Sequence, residues 1–128
     1  MTNTADPQSL LPLTAPVFHI LLALADRERH GYGIMQEVKR QSEGRLALGP
    51  GTLYGCLNRM LAAELVEESD ERPDPELDDE RRRYYRISAL GRRVSRLEAQ
   101  RLESAVNAAR MKRVLPMVRP AVAGGEEK

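Results

Sequence analysis

The chain has no tryptophan, one phenylalanine and one cysteine, and aromatic residues make up only 4% of its 128 positions. A core built from it is therefore aliphatic. The lone cysteine, Cys56, excludes an internal disulfide and offers no metal-ligand spacing, which suits a reducing compartment. A small buried hydrophobe is its expected role. No apolar run reaches the ~18 residues that cross a bilayer. The opening MTNTADPQSLLPLT also lacks the basic start of a secretory signal. These absences point to a cytoplasmic protein that is not held in a membrane. There is no paired nucleophile and base, no phosphate-cradling glycine loop before a suitable helix and no ligand cluster for a metal, so neither an enzyme nor a cofactor is expected.

What is present is 41% hydrophobic and 30% charged, over a length that suits one domain with a modest core. The net charge of +1 conceals an asymmetry. Residues 64–80 hold ten acidic groups against one arginine, whereas residues 81–115 hold eleven basic groups against Glu98 and Glu103. Local charge, rather than the whole-chain value, bears on partners.

Residues 1–13 are polar, hold two prolines and show no period, so they read as a disordered arm. Thr14 before Pro16 starts a first helix with Val17, Ile20, Leu21 and Leu24 on one buried face. Phe18, Leu22 and Ala25 make it apolar nearly all round, so it should be covered on more than one side. His30-Gly-Tyr-Gly33 then turns into a second helix, Ile34, Met35 and Val38 inward and Gln36, Lys39 and Arg40 outward, with Gly44 as its stop. A third helix runs from about Pro50 to Ala63. Leu65-Val-Glu-Glu-Ser69 and Arg82-Arg-Tyr-Tyr-Arg-Ile87 read as strands around a long polar loop. Ser88 caps a long fourth helix, residues 89–115, with Leu90, Val94, Leu97, Leu102, Ala105, Val106 and Ala109 as its apolar stripe. Pro116 stops it, and residues 116–128 should be a disordered tail.

This order predicts a mainly α fold with a small β-hairpin: a winged helix-turn-helix over residues 14–88, then a C-terminal dimerisation helix over residues 89–115. In such proteins the second helix of the motif enters the major groove of DNA. Projected at 100° per residue, the third helix puts Leu53, Leu57, Met60 and Leu61 on one side. Gly51, Thr52, Gly55, Asn58, Arg59 and Ala62 fall on the other. The glycine in GPGTLYGCLNRM costs ~1 kcal/mol of helix stability relative to alanine. On a groove-facing surface it would let the backbone approach the groove floor or a phosphate; otherwise it is merely tolerated. Pro50 at the helix start leaves the N–H groups of Gly51 and Thr52 pointing out as an anion site.

His30-Gly-Tyr-Gly33, Gly51-Thr-Leu-Tyr54 with Leu57 and Met60, then Arg82, Arg83 and Tyr85 with Ile87-Ser88 and Gly91, together resemble the PadR family of bacterial transcriptional regulators. The resemblance spans residues 14–115, and the length is similar to that of its small subfamily. It implies a homodimeric DNA-binding protein, usually a repressor of a neighbouring gene or its own, whose long helix packs with the first helix of the partner. Two positions depart from the pattern. Gly55 stands where many relatives have proline, and Glu64 where many have glycine.

Asn58 and Arg59 carry side chains of the kind that read adenine and guanine edges. Tyr54 either sends its hydroxyl to a phosphate or ends at the core edge. Tyr32 is expected to pack against the first helix, with a phosphate contact as the alternative; His30 should cap or pack. Lys39 and Arg40 are solvated or meet the backbone. Arg81, Arg82 and Arg83 suit phosphates or the minor groove, while the acidic wing tip, residues 70–80, should swing outward or pair with nearby arginines.

The fourth helix's stripe has nothing to cover it in so small a chain. Val17, Phe18 and Leu21, with Leu90, Val94, Leu97, Arg101, Leu102, Ala105, Val106 and Ala109, should form a dimer interface, Arg101 pairing across it with Glu98 or Glu103. Two-fold symmetry then calls for a pseudo-palindromic operator on double-stranded DNA. The resemblance also implies planar aromatic ligands between the long helices. With no aromatic on this fourth helix, such an effector should bind poorly, leaving an apolar or acidic molecule met by Arg101, or none. The rival reading is a protein-interaction module that uses its acidic wing without specific DNA binding.

Overall fold

Thr14 accepts a hydrogen bond from the Val17 N–H at 3.3 Å and opens the first helix, α1 (Ala15–Ala25), with Pro16 in its first turn. The computed structural model describes residues 6–69 and 83–117. After α1 come a two-residue strand, β1 (Arg29–His30), then α2 (Gly31–Gln41) and α3 (Pro50–Ala62). They are followed by β2 (Val66–Ser69), β3 (Tyr84–Ile87) and α4 (Ala89–Met111). The sheet is antiparallel in the order β1-β3-β2, with His30 opposite Tyr84 and Val66 opposite Ile87. This is a winged helix-turn-helix, mainly α. Among the described residues no helix is long and apolar enough to cross a membrane.

Ile20, Leu21 and Leu24 of α1, Ile34 and Val38 of α2, and Leu53, Leu57 and Met60 of α3 are buried with Val66, Tyr85, Ile87 and Val94 in one core. The helical spacing of these aliphatic residues is what brings the three helices together. Arg29 then ties the start of the sheet to both helices beside it. Its Nε donates to the Ala23 carbonyl at 2.7 Å, and its guanidinium lies 3.4 Å from Asp26 and 3.7 Å from Glu37. The hydrogen bonds that Glu37 accepts from Arg40, and then the nearby charges, hold its carboxyl below the ordinary value of 4.5. A carboxylate so depressed stabilises the fold above about pH 4.5, and that contribution fades as pH falls through the lowered value. In acid titrations of unfolding, Glu37→Gln should therefore flatten the stability slope below this pH.

Two expectations need correction here. Residues 6–13, expected in a disordered arm, include a single 3₁₀ turn, Pro7–Leu10, capped by Asp6. Leu10, Leu11 and Leu13 pack against the core, so the apolar residues of the arm supply the order that its lack of a period concealed. In addition, α4 ends at Met111, with Arg113 at φ 65° in the turn that follows. It stops short of Leu115.

The chain divides into two compact units, residues 1–98 and 99–128. In the first, Leu21 and Val94 are fully buried in their own core, and neither has a surface to offer a second chain. Their assignment to a dimer interface is withdrawn. Glu98, at 2% exposure, is likewise engaged within its own chain. Val17, Phe18, Leu90 and Leu97 are half-buried. In the second unit Arg101, Leu102, Ala105 and Val106 are exposed and Ala109 is half-buried.

Glu64 precedes β2 at φ 65°, a left-handed conformation that costs a side-chain-bearing residue about 1 kcal/mol or more. Glu64→Gly should therefore raise the unfolding free energy by about 0.5–1 kcal/mol, read from thermal or urea melts.

Candidate nucleic-acid interface

The face of α3 that points away from the core is fixed by the face that points in. Leu53, Cys56, Leu57 and Met60 are all 3% exposed or less. Gly51, Thr52, Tyr54, Asn58 and Arg59 are consequently exposed, and Gly55 is half-buried. Gly49 caps α3 without a side-chain hydrogen bond, so the first turn, with Pro50 at its head, is open. Residues 45–63 contain no aspartate or glutamate, so α3 itself puts nothing acidic on this face.

Arg59 lies back along the helix. Its Nη2 is 3.5 Å from the Cys56 sulfur, and its Nη1 is 3.6 Å from where a Cβ on Gly55 would stand. The guanidinium thus covers the glycine, and a larger side chain there would share its space.

Tyr54, 43% exposed, reaches across to the start of α2. A Cβ on Gly31 would collide with its hydroxyl, so glycine at 31 is what permits the approach. His30 caps α2, its Nδ1 accepting the Gly33 N–H at 3.2 Å, and Tyr84 meets its ring edge-on at 5.3 Å. Tyr32 stacks on the outer side of that ring at 6.5 Å and is 59% exposed. The expectation that Tyr32 packs against the first helix is therefore wrong, because a residue in the first turn of α2 points outward beside the cap.

Arg83 is exposed and pairs with Glu68 at 3.2 Å across β3 and β2. Tyr32, Tyr54, Asn58 and Arg83 line one cleft. Exposed Lys39 stands apart, in a shallower groove with Met35, Ala47 and Leu48, beside Arg40, whose Nε donates to Glu37 at 3.0 Å. Arg81, Arg82 and the acidic wing tip lie outside the described residues.

The family model described as "Transcriptional regulator PadR-like family" matches residues 20–97. The chain belongs to this family. It is 36% identical over 85 residues to the transcriptional regulator Rv3488 of Mycobacterium tuberculosis, covering 66% of this chain and 73% of that one. It is 38% identical over 80 residues to an uncharacterized 37.1 kDa protein in transposon TN4556 of Streptomyces fradiae. That match takes in 62% of this chain but only 21% of the relative's length. Among solved structures, a PadR family transcription regulator from Clostridium difficile matches with a TM-score of 0.63 at 20% identity, over 77% of this chain and 97% of that one. At that identity the likeness speaks for the fold alone.

Sequence reasoning about this PadR-like chain missed three residues of the cleft, one of them His30, expected only to cap or pack. Tyr85 comes from the wing, and Gly31 earns its place only because Tyr54 arrives from another helix. A clue was present, since His30-Gly-Tyr-Gly33 and Gly51-Thr-Leu-Tyr54 each carry an outward tyrosine, but no spacing says that the two meet.

Proposed function

We propose that this PadR-like transcriptional regulator binds double-stranded DNA as a homodimer in the cytoplasm, with α3 in the major groove, and represses its own gene or a neighbouring one. The observation that carries this is the outward face of α3: small at its start, hydrogen-bonding at Asn58 and Arg59, and free of acidic residues. Arg59 and Asn58 read base edges, while Thr52, Tyr32, Tyr54 and Arg83 meet the backbone on either side. Arg81 and Arg82 carry charge suited to phosphates or the minor groove, and Lys39 adds a more distant backbone contact.

A second copy of the chain covers the distal part of α4, where Leu102 and Val106 are 38% and 37% exposed. Two-fold symmetry places the half-sites about one or two helical turns apart, ~10 or ~20 base pairs. Footprinting on the DNA upstream of the gene should show two such protected half-sites. No footprint from a folded dimer would instead favour the protein-interaction reading. The double substitution Leu102→Glu with Val106→Glu should yield a folded monomer in sedimentation at micromolar concentration and abolish the footprint. A dimer that survives it would remove α4 from the interface.

A further inference from the structure

Three arginines stand together near the head of α4. Gly91, Val94 and Glu98 turn one side of the helix into the core. Arg92, Arg93 and Arg96 are exposed on the other side, within about 100° of its circumference. Among the described residues none of these three guanidiniums makes an ion pair or a hydrogen bond. By contrast, Arg40 is paired with Glu37, Arg83 with Glu68 and Arg86 with Glu67. Helix stability does not account for the cluster. The start of a helix favours anions over cations, and α4 has no acidic residue in its first turn to offset them. The three arginines line neither the cleft beside α3 nor the groove along α2, so this face is separate from the one assigned to DNA.

The chain carries the matching charge itself. Residues 70–80 hold seven carboxylates against Arg72 alone. Glu67 and Glu68, just before them, already have their arginines at 2.9 and 3.2 Å. Within one chain the two charges are attached at opposite ends of the wing. Ser69, the last strand residue before the acidic stretch, lies opposite Tyr84, whereas Val66 lies opposite Ile87, which leads through Ser88 into α4. Those two ends are about 10 Å apart at the rise of a strand.

We propose that Arg92, Arg93 and Arg96 form a docking surface for the acidic stretch, residues 70–80, of a second copy of this chain. Guanidinium forks hold carboxylates through paired hydrogen bonds, which suits arginine at all three positions. An exposed pair contributes little by itself, so the contact draws on the three together and is weak and salt-dependent. One patch meets a different patch, so copies add head to tail and the assembly grows with concentration. This contact does not depend on what α3 binds.

Charge exchange tests it. Nucleic-acid-free protein sedimented at roughly 0.02 M salt should show a species that grows with concentration, and roughly 0.5 M salt should remove it. The triple substitution Arg92→Glu, Arg93→Glu and Arg96→Glu should weaken this association about tenfold, with melting held or raised because the side chains are exposed near a helix start. Asp78→Lys, Asp79→Lys and Glu80→Lys, made together, should weaken it as much. Mixed in equal amounts, the two variants should associate again, because each then presents the charge that the other needs. A wild type with no salt-sensitive association, an association that survives the arginine substitutions, or a mixture that stays apart would overturn the proposal. Binding to a random duplex separates the other class of partner. Affinity lost in the arginine variant while self-association persists would assign this face to nucleic acid and overturn the docking of a second copy.

Discussion

Replacing Gly55 with glutamate should weaken operator binding about a hundredfold while leaving the fold intact. The new carboxylate would stand one helical turn before Arg59, at the spacing that favours an ion pair. Arg59 already reaches this spot, its Nη1 3.6 Å from the missing Cβ, so the pair forms without rearrangement. Two losses then add. Arg59 gives up a bidentate base contact worth ~1–3 kcal/mol, and a negative charge is carried into a groove lined by phosphates. Helix propensity moves the other way, favouring glutamate by ~0.5–1 kcal/mol, so thermal melting should hold or rise. Arg59→Ala should cost about tenfold and loosen selectivity at one base pair. Gly55→Ala resolves why the chain tolerates a glycine there. A methyl group would meet only Arg59 at an ordinary contact distance. Affinity near wild type would mean that glycine leaves room for Arg59, and a loss matching that of glutamate would mean that the helix backbone itself lies against the DNA. Fluorescence anisotropy with a labelled operator, alongside circular dichroism, reads all three variants. Wild-type affinity in both Gly55→Glu and Arg59→Ala would remove α3 from the interface.

The second large effect is on stability. Gly91→Ala should lower the unfolding free energy by about 3 kcal/mol, because overpacking against backbone cannot relax as overpacking against a flexible side chain can. Gly91 lies where the start of α4 crosses the entry to β2. Its N–H donates to the Ser88 Oγ at 2.9 Å, and that hydroxyl donates to the Glu64 carbonyl at 2.6 Å. The Ser88 N–H donates to the Leu65 carbonyl at 3.1 Å. A Cβ at position 91 would collide with that same Leu65 oxygen and lie 2.9 Å from Ile87 Cγ1. The wing and the long helix would have to part to make room. A drop in melting temperature of about 10 °C is expected by circular dichroism. A shift of a degree or two would mean that the junction is looser than its hydrogen bonds imply.

Both junctions were half visible in the sequence. Thr14 and Ser88 announce helix starts through local chemistry, and the structure caps both helices there. The two faces of α3 follow from its period, since Leu53, Leu57 and Met60 leave only one side for the core. Strand β1 was not legible: two residues, Arg29 and His30, cannot display an alternation, and they become a strand only by pairing with Tyr85 and Tyr84. Leu21 and Val94 show a second limit. A helical projection tells which residues are apolar together, but whether their partners lie in the same chain or another depends on the packing of all the elements. Tyr85 shows a third, because its neighbours Tyr54 and Glu68 come from a helix and from the other side of a long loop.

The most direct measurement of the central claim is binding of the purified protein to its upstream DNA and to a scrambled duplex between 50 and 200 mM salt. The account predicts an affinity for the upstream fragment on the order of a thousandfold tighter than for the scrambled one, with both falling steeply as salt rises. Equal affinity for the two duplexes, or binding indifferent to salt, would contradict it.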